Sequence, residues 1–250
     1  MRFKQLSLAA YSFLSMIAFN NAHATLTSYT GVDGVGLVYS SIADVTWTQD
    51  ANLFGTLTAD NPNLINTIIS NIGSIYSPVN NTNHTLTSVD FGSTVGGNGY
   101  LTWFGAQAFI QYLNNINYGG SNQWMLPSAG SNPQSGYNIN NTAFEKLFYN
   151  ELGGARSYNI PNTDTFTNER TYAYWLDTED TSNTDYAWLF FTNRGYQGNY
   201  LNNFKGFAWA ISPGQISTVV PVPLPSAAWF MGSGLLGLAG MKRRRLRQTR

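Results

Sequence analysis

The chain has 250 residues, no cysteine, and 13 basic against 13 acidic residues. Disulfides, thiol nucleophiles and cysteine-ligated metals are excluded, so the fold must hold by burial alone. The neutrality is only apparent: between the two termini, Lys146, Arg156, Arg170, Arg194 and Lys205 stand against all 13 carboxylates, leaving that stretch at about −8. A segment this acidic repels nucleic acid and anionic polymers and attracts cations, so nucleic-acid binding is not expected.

Arg2 and Lys4 precede a mostly apolar stretch at 6–19, and Ala22-His23-Ala24 then places small residues at both key positions of a cleavage site. This is the form of a secretory signal. Residues 1–24 are expected to be removed by signal peptidase, leaving Thr25 first. Residues 25–217 suffice for one domain with a single core. Trp47, Trp103, Trp124, Trp175, Trp188 and Trp209 supply much of its area.

Residues 37–39 and 45–48 read as strands, being β-branched and aromatic. Asn61-Pro62 is expected to open a helix, with Asn61 as N-cap and Pro62 in the first turn. Leu64, Ile65, Ile68, Ile69 and Ile72 form its apolar stripe, and Gly73 ends it. Residues 77–100 are rich in Asn, Thr, Ser and Gly without a period, which predicts a long loop or polar insertion. Thr102 caps a second helix on which Trp103, Ala106, Phe109, Ile110 and Leu113 share a face. Thr142 and Glu145 form a capping-box pattern before a third, with Phe144, Leu147, Phe148 and Leu152 inward and Gly153 at its end. Residues 172–176, 186–192 and 207–211 return to strand character. Together these predict an α+β fold with a mainly antiparallel, irregular sheet and about three short helices.

The chain closes with Pro221, Pro223 and Pro225, an uncharged apolar run at 226–241, and a basic tail at 242–250. The run would satisfy its backbone as a helix in a bilayer, and the tail favours the cytoplasmic side. With 16 residues it is shorter than the roughly 20 that span comfortably. Val222-Pro223-Leu224-Pro225-Ser226, the Gly-rich run from Gly232 and the cluster Arg243, Arg244, Arg245 resemble the PEP-CTERM sorting signal in its VPLPA-like variant. Ser226 replaces the usual Ala. The resemblance covers residues 218–250. It implies export, transient membrane anchoring and removal of the tail by an exosortase, with the mature protein at the cell surface or outside the cell. A permanent C-terminal anchor is the alternative.

A second resemblance spans residues 36–214. Its blocks are Asp44-Val45-Thr46-Trp47-Thr48, Gln123-Trp124-Met125-Leu126-Pro127, Tyr174-Trp175-Leu176-Asp177-Thr178-Glu179, Gly195-Tyr196-Gln197-Gly198 and Ala208-Trp209-Ala210-Ile211. Their order is similar to the C-terminal domain family of the Legionella collagen-like adhesin. The resemblance implies a C-type-lectin-like arrangement and adhesion to glycan or matrix. This chain lacks a collagen-like stalk and is strongly acidic.

Catalytic signals are few. His23 leaves with the signal, so His84 is the domain's one histidine, expected in the polar loop. No zinc-binding His pair, nucleophile elbow or phosphate loop occurs. Asp177, Glu179, Asp180 and Asp185 cluster within nine residues. They read as a solvated acidic turn; their oxygens also suit Ca²⁺, although the spacing fails the EF-hand pattern. A carboxylate pair for glycosidic hydrolysis is a third reading. Tyr196, Gln197, Asn199 and Tyr200 lie in a Gly- and Asn-rich stretch expected to form an exposed hairpin, where flat rings beside amides suit sugar contact. The leading expectation is a non-enzymatic surface or matrix module, with glycan as candidate ligand. The alternative is a carboxylate-dependent hydrolase of extracellular polysaccharide.

Overall fold

A computed structural model describes residues 26–92 and 98–217. The cleavage-site residues Ala22 and Ala24 lie outside the described residues. So does the sorting segment with Val222, Pro223, Leu224, Pro225, Arg243, Arg244 and Arg245. Among the described residues no helix is long and apolar enough to cross a membrane.

The domain is α+β, and its strands pair antiparallel within each sheet, with isolated parallel bridges at Tyr174–Phe207 and Asp50–Thr167. One four-stranded sheet joins β1 (Leu26–Thr30), β2 (Gly36–Ser40), β3 (Val45–Thr48) and β10 (Ile211–Pro213) in that order. The other runs β6 (Gly136–Tyr137), β9 (Tyr196–Leu201), β8 (Tyr186–Phe191), β7 (Ala173–Glu179). A hairpin of β4 (Ser74–Ser77) and β5 (Thr82–Thr85) stands apart. The helices are α1 (Leu53–Asp60), α2 (Leu64–Ile72), α3 (Trp103–Asn115) and α4 (Ala143–Glu145), the last continuing into a π-helical turn, Lys146–Glu151.

The second sheet is buried on both faces at its centre. Trp175, Ala187 and Leu189 join one core cluster with Trp103 and Phe109 of α3. Tyr174, Leu176, Trp188 and Phe190 join another with Phe144, Phe148, Trp47 and Trp209. This follows from strand geometry: successive side chains point to opposite faces, and both sets here are apolar. Rings meet edge-on, as between Trp47 and Trp209 with centroids 5.1 Å apart. The six tryptophans among the described residues are all buried, and four find backbone acceptors for their indole N–H. Trp103 Nε1 donates to Leu176 O at 2.9 Å, tying α3 to β7.

Thr102 caps α3 as its sequence pattern predicts, its hydroxyl accepting from Gly105 N at 3.1 Å. Thr142 caps the third apolar stripe in the same way. There the capping box closes on one side only: Glu145 turns its carboxylate to the N–H groups of Ile139 and Asn140.

Four expectations need correction. The 61–73 helix starts at Leu64, and Asn61 instead receives the end of α1 while its side chain accepts from Asn63 N. That preceding helix, α1, is not evident from sequence because Gly55, Thr56 and Thr58 are weak helix formers; Phe54 holds it by packing against Phe91 and Phe109, and Leu53 is buried in the same core cluster. The polar stretch 77–100 is largely ordered structure in its described part, containing β5, a 3-10 turn at Ser88–Phe91, and buried Leu86, Asp90 and Phe91. Finally, 195–203 is chiefly strand β9 rather than a protruding hairpin, and 207–210 is irregular chain leading to the short β10.

Candidate functional site

Strand β9 positions the candidate site. Its register on β8 pairs Phe191 with Tyr196, Leu189 with Gly198 and Ala187 with Tyr200. The period of two therefore puts Tyr196, Gly198 and Tyr200 on one face, and Gln197 and Asn199 on the other. The four residues singled out from sequence do not form one shelf. Gln197 is fully buried and its amide donates to Ala129 O at 2.9 Å, so it is a structural residue.

Tyr196 and Tyr200 do open onto a cleft of about 370 Å³. Its wall is completed by Tyr172, Phe191 and Phe204, which sequence reading did not assign to a site. Tyr200 packs edge-on to Phe204 at 4.7 Å, and Phe204 stacks near Tyr172 at 5.8 Å. Gly198 leaves the floor free; a Cβ there would come within 2.7 Å of the Tyr196 ring. The Arg194 guanidinium lies 4.7 Å from the Phe191 ring centre and 5.4 Å from that of Tyr196, a cation held on aromatic faces. The signal that could have found this cleft was the alternation Tyr-x-Gly-x-Tyr read as strand rather than loop.

A second cleft of about 630 Å³ lies on the opposite face of β9, the face of Trp188 and Asn199, between residues 130–135 and 178–182. Its lining is polar, with Asn132, Gln134, Asp180 and Asn199 around the edge of Trp188. Ser135 and Asn199 belong to both clefts.

The acidic residues are dispersed in purpose. Glu179 is buried and accepts from Ser77 Oγ at 2.5 Å, pinning the β4–β5 hairpin. Asp180 accepts from Ser182 N and Oγ and from Asn199 Nδ2. Burial opposes its charge, but these hydrogen bonds outweigh it and hold the carboxyl below its usual value. Asp177 shows the reverse: burial pushes it up despite hydrogen bonds from Thr178 and Ser128. Asp185 is exposed and contributes its main-chain carbonyl to Asn202 N. Among the described residues, no group of three or more His, Cys, Asp or Glu side chains is gathered as a metal ion requires.

His84 is not a loose loop residue. It sits on β5, stacked on Phe104 at 4.0 Å, with Nε2 3.0 Å from Asp90 Oδ1. Thr102 Oγ1 donates to the same carboxylate oxygen at 2.9 Å, so this hydroxyl is engaged with the acid rather than the imidazole. The cluster joins the hairpin to the start of α3.

No family model matches the chain, and no curated protein or solved structure is significantly similar to it.

Proposed function

We propose that this chain is an exported surface or matrix protein, sorted by an exosortase through residues 218–250, whose domain binds glycan without catalysis. The observation that carries the binding part is the aromatic cleft of β9. Tyr196 and Tyr200 offer aromatic rings in a cleft that also holds Asn193 and the Arg194 guanidinium, the combination by which proteins meet the apolar and hydroxylated faces of a sugar. Glu179 and Asp180 serve as hydrogen-bonded anchors, which supports a binding role over acid–base work. Export would bring the domain to such ligands, and the basic tail would hold the C-terminus in the cytoplasm until processing.

The test uses the exported protein from a host with an exosortase, applied to a glycan array with and without Ca²⁺. Binding that weakens in a Tyr196→Ala, Tyr200→Ala double variant that still folds supports the reading. Polysaccharide turnover abolished by Asp177→Asn or Glu179→Gln would overturn it in favour of a hydrolase. Unaltered processing after neutralising Arg243, Arg244 and Arg245 would overturn the sorting part.

A further inference from the structure

The edges of the two four-stranded sheets are finished differently. Beside β10, Met125 N donates to Ile211 O at 2.8 Å and Ile211 N to Met125 O at 2.9 Å. Outside β7, the carbonyls of Phe207 and Pro127 accept from Trp175 N and Asp177 N. Strand β6 is only two residues long. The exception is β1, which among the described residues has no main-chain partner beyond β2.

The ladder gives the direction of its free groups. Gly31 N donates to Val35 O at 2.8 Å, and on the far side of β2 Gln49 N donates to Gly36 O at 3.1 Å. With Thr30 opposite Gly36, antiparallel alternation bonds Tyr29 to Leu37 and Thr27 to Tyr39. The N–H and C=O groups of Leu26, Ser28 and Thr30 therefore point outward. The usual protections of such an edge are missing: the strand has no charge and no proline, and its register runs through all five residues without a bulge.

We propose that β1 pairs antiparallel with β1 of a second copy about a two-fold axis at Ser28, joining two four-stranded sheets into one. Ser28 opposite Ser28, with Leu26 opposite Thr30, brings every outward N–H to an outward C=O; any other register leaves some of them unpaired. A second copy suits the edge because this set is self-complementary. No carboxylate on one strand opposes another, although each domain stands at about −8. The chain's own C-terminal stretch departs nearby, Ile216 N donating to Tyr29 Oη at 3.2 Å, but Pro221, Pro223 and Pro225 have no N–H to give a ladder. Five residues per copy make a small contact, so the dimer is weak in dilute solution and gains where copies are crowded, as on a surface. The pairing does not depend on the aromatic cleft, which belongs to the other sheet.

Sedimentation equilibrium of the exported protein tests it, between about 1 μM and about 1 mM and at about 0.5 M salt to screen the net charge. Reversible monomer–dimer exchange is expected. Ser28→Pro removes the central outward N–H, which β2 does not use, and Ser28→Lys sets two like charges at the axis. Each should weaken dimerisation about tenfold or more, while Ser28→Ala leaves it unchanged. Circular dichroism checks the fold, and the lysine variant decides alone if the proline disturbs β1. A monomer at every concentration, or a dimer that survives Ser28→Lys, overturns the proposal.

Discussion

Strands β8 and β9 lie side by side in one sheet and do opposite work. The β8 sequence, Tyr-Ala-Trp-Leu-Phe-Phe, is apolar at successive positions, and its four middle residues are buried. It can only be a central strand covered on both faces. The β9 sequence, Tyr-Gln-Gly-Asn-Tyr-Leu, buries Gln197 and Gly198 and leaves Tyr200 nearly half exposed, at 46%. Apolar continuity makes the scaffold; a strand interrupted by glycine and amides, supported by that scaffold, makes the clefts. The difference places the scaffold and the proposed binding surface in adjacent strands, and substitutions should separate the two.

The largest effect is expected where α3 and β7 meet on the scaffold side. Trp103→Ala empties a buried volume and leaves Leu176 O without its indole donor. Such a change costs about 3–5 kcal/mol, a large share of a domain's stability. Urea unfolding should show a midpoint shift of that size. An unchanged midpoint would mean that the scaffold does not depend on this face of α3. On the recognition side, the Tyr196→Ala, Tyr200→Ala pair should weaken glycan binding about tenfold or more, roughly 1.4 kcal/mol, with a smaller loss of stability. A collapse of the fold in this variant would erase the distinction between the strands.

Capping gives an intermediate case. Thr142→Ala removes the acceptor for Glu145 N at the start of the helix bearing Phe144. A loss of about 1 kcal/mol is expected, with binding unchanged, since that helix backs the scaffold face of the sheet. Thermal unfolding of the variant together with its glycan affinity checks both halves.

The scaffold was far more legible in the sequence than the site. The α3 stripe, the Thr102 and Thr142 caps and the inward set Phe144, Leu147, Phe148 follow from period and cap chemistry, which are local properties. Helix α1 was hidden because its stability comes from tertiary packing of Leu53 and Phe54 rather than from propensity. The stretch around β5 was hidden because its order depends on distant partners, Glu179 for Ser77 and Phe104 for His84. In the candidate site, the chemistry of Tyr196, Asn199 and Tyr200 singles them out in the sequence. Their division between two faces is not evident there, because composition suggests a loop where β8 imposes a strand. Tyr172 and Phe204 come from elsewhere in the chain, and only tertiary structure brings them to Tyr200.

The smallest effects are electrostatic and contrast two carboxylates three residues apart. Asp180 titrates lower in the folded protein than in the unfolded chain, so the unfolded state binds its proton first as pH falls. Its contribution is present above the unfolded value of about 4 and is lost as pH drops through the folded value. Asp177 titrates higher in the folded protein, so its ionisation disfavours the fold at neutral pH, and stability recovers as pH falls through the raised value. Unfolding free energies of the wild type, Asp177→Asn and Asp180→Asn should be compared between about pH 3 and about pH 7. The difference curve for Asp180→Asn should show a deficit at neutral pH that closes on acidification below about 4. The curve for Asp177→Asn should run the other way, with a gain at neutral pH that fades as the wild-type carboxyl takes up its proton. Parallel curves for the two variants would show that burial and hydrogen bonding do not act on these neighbours with opposite sign.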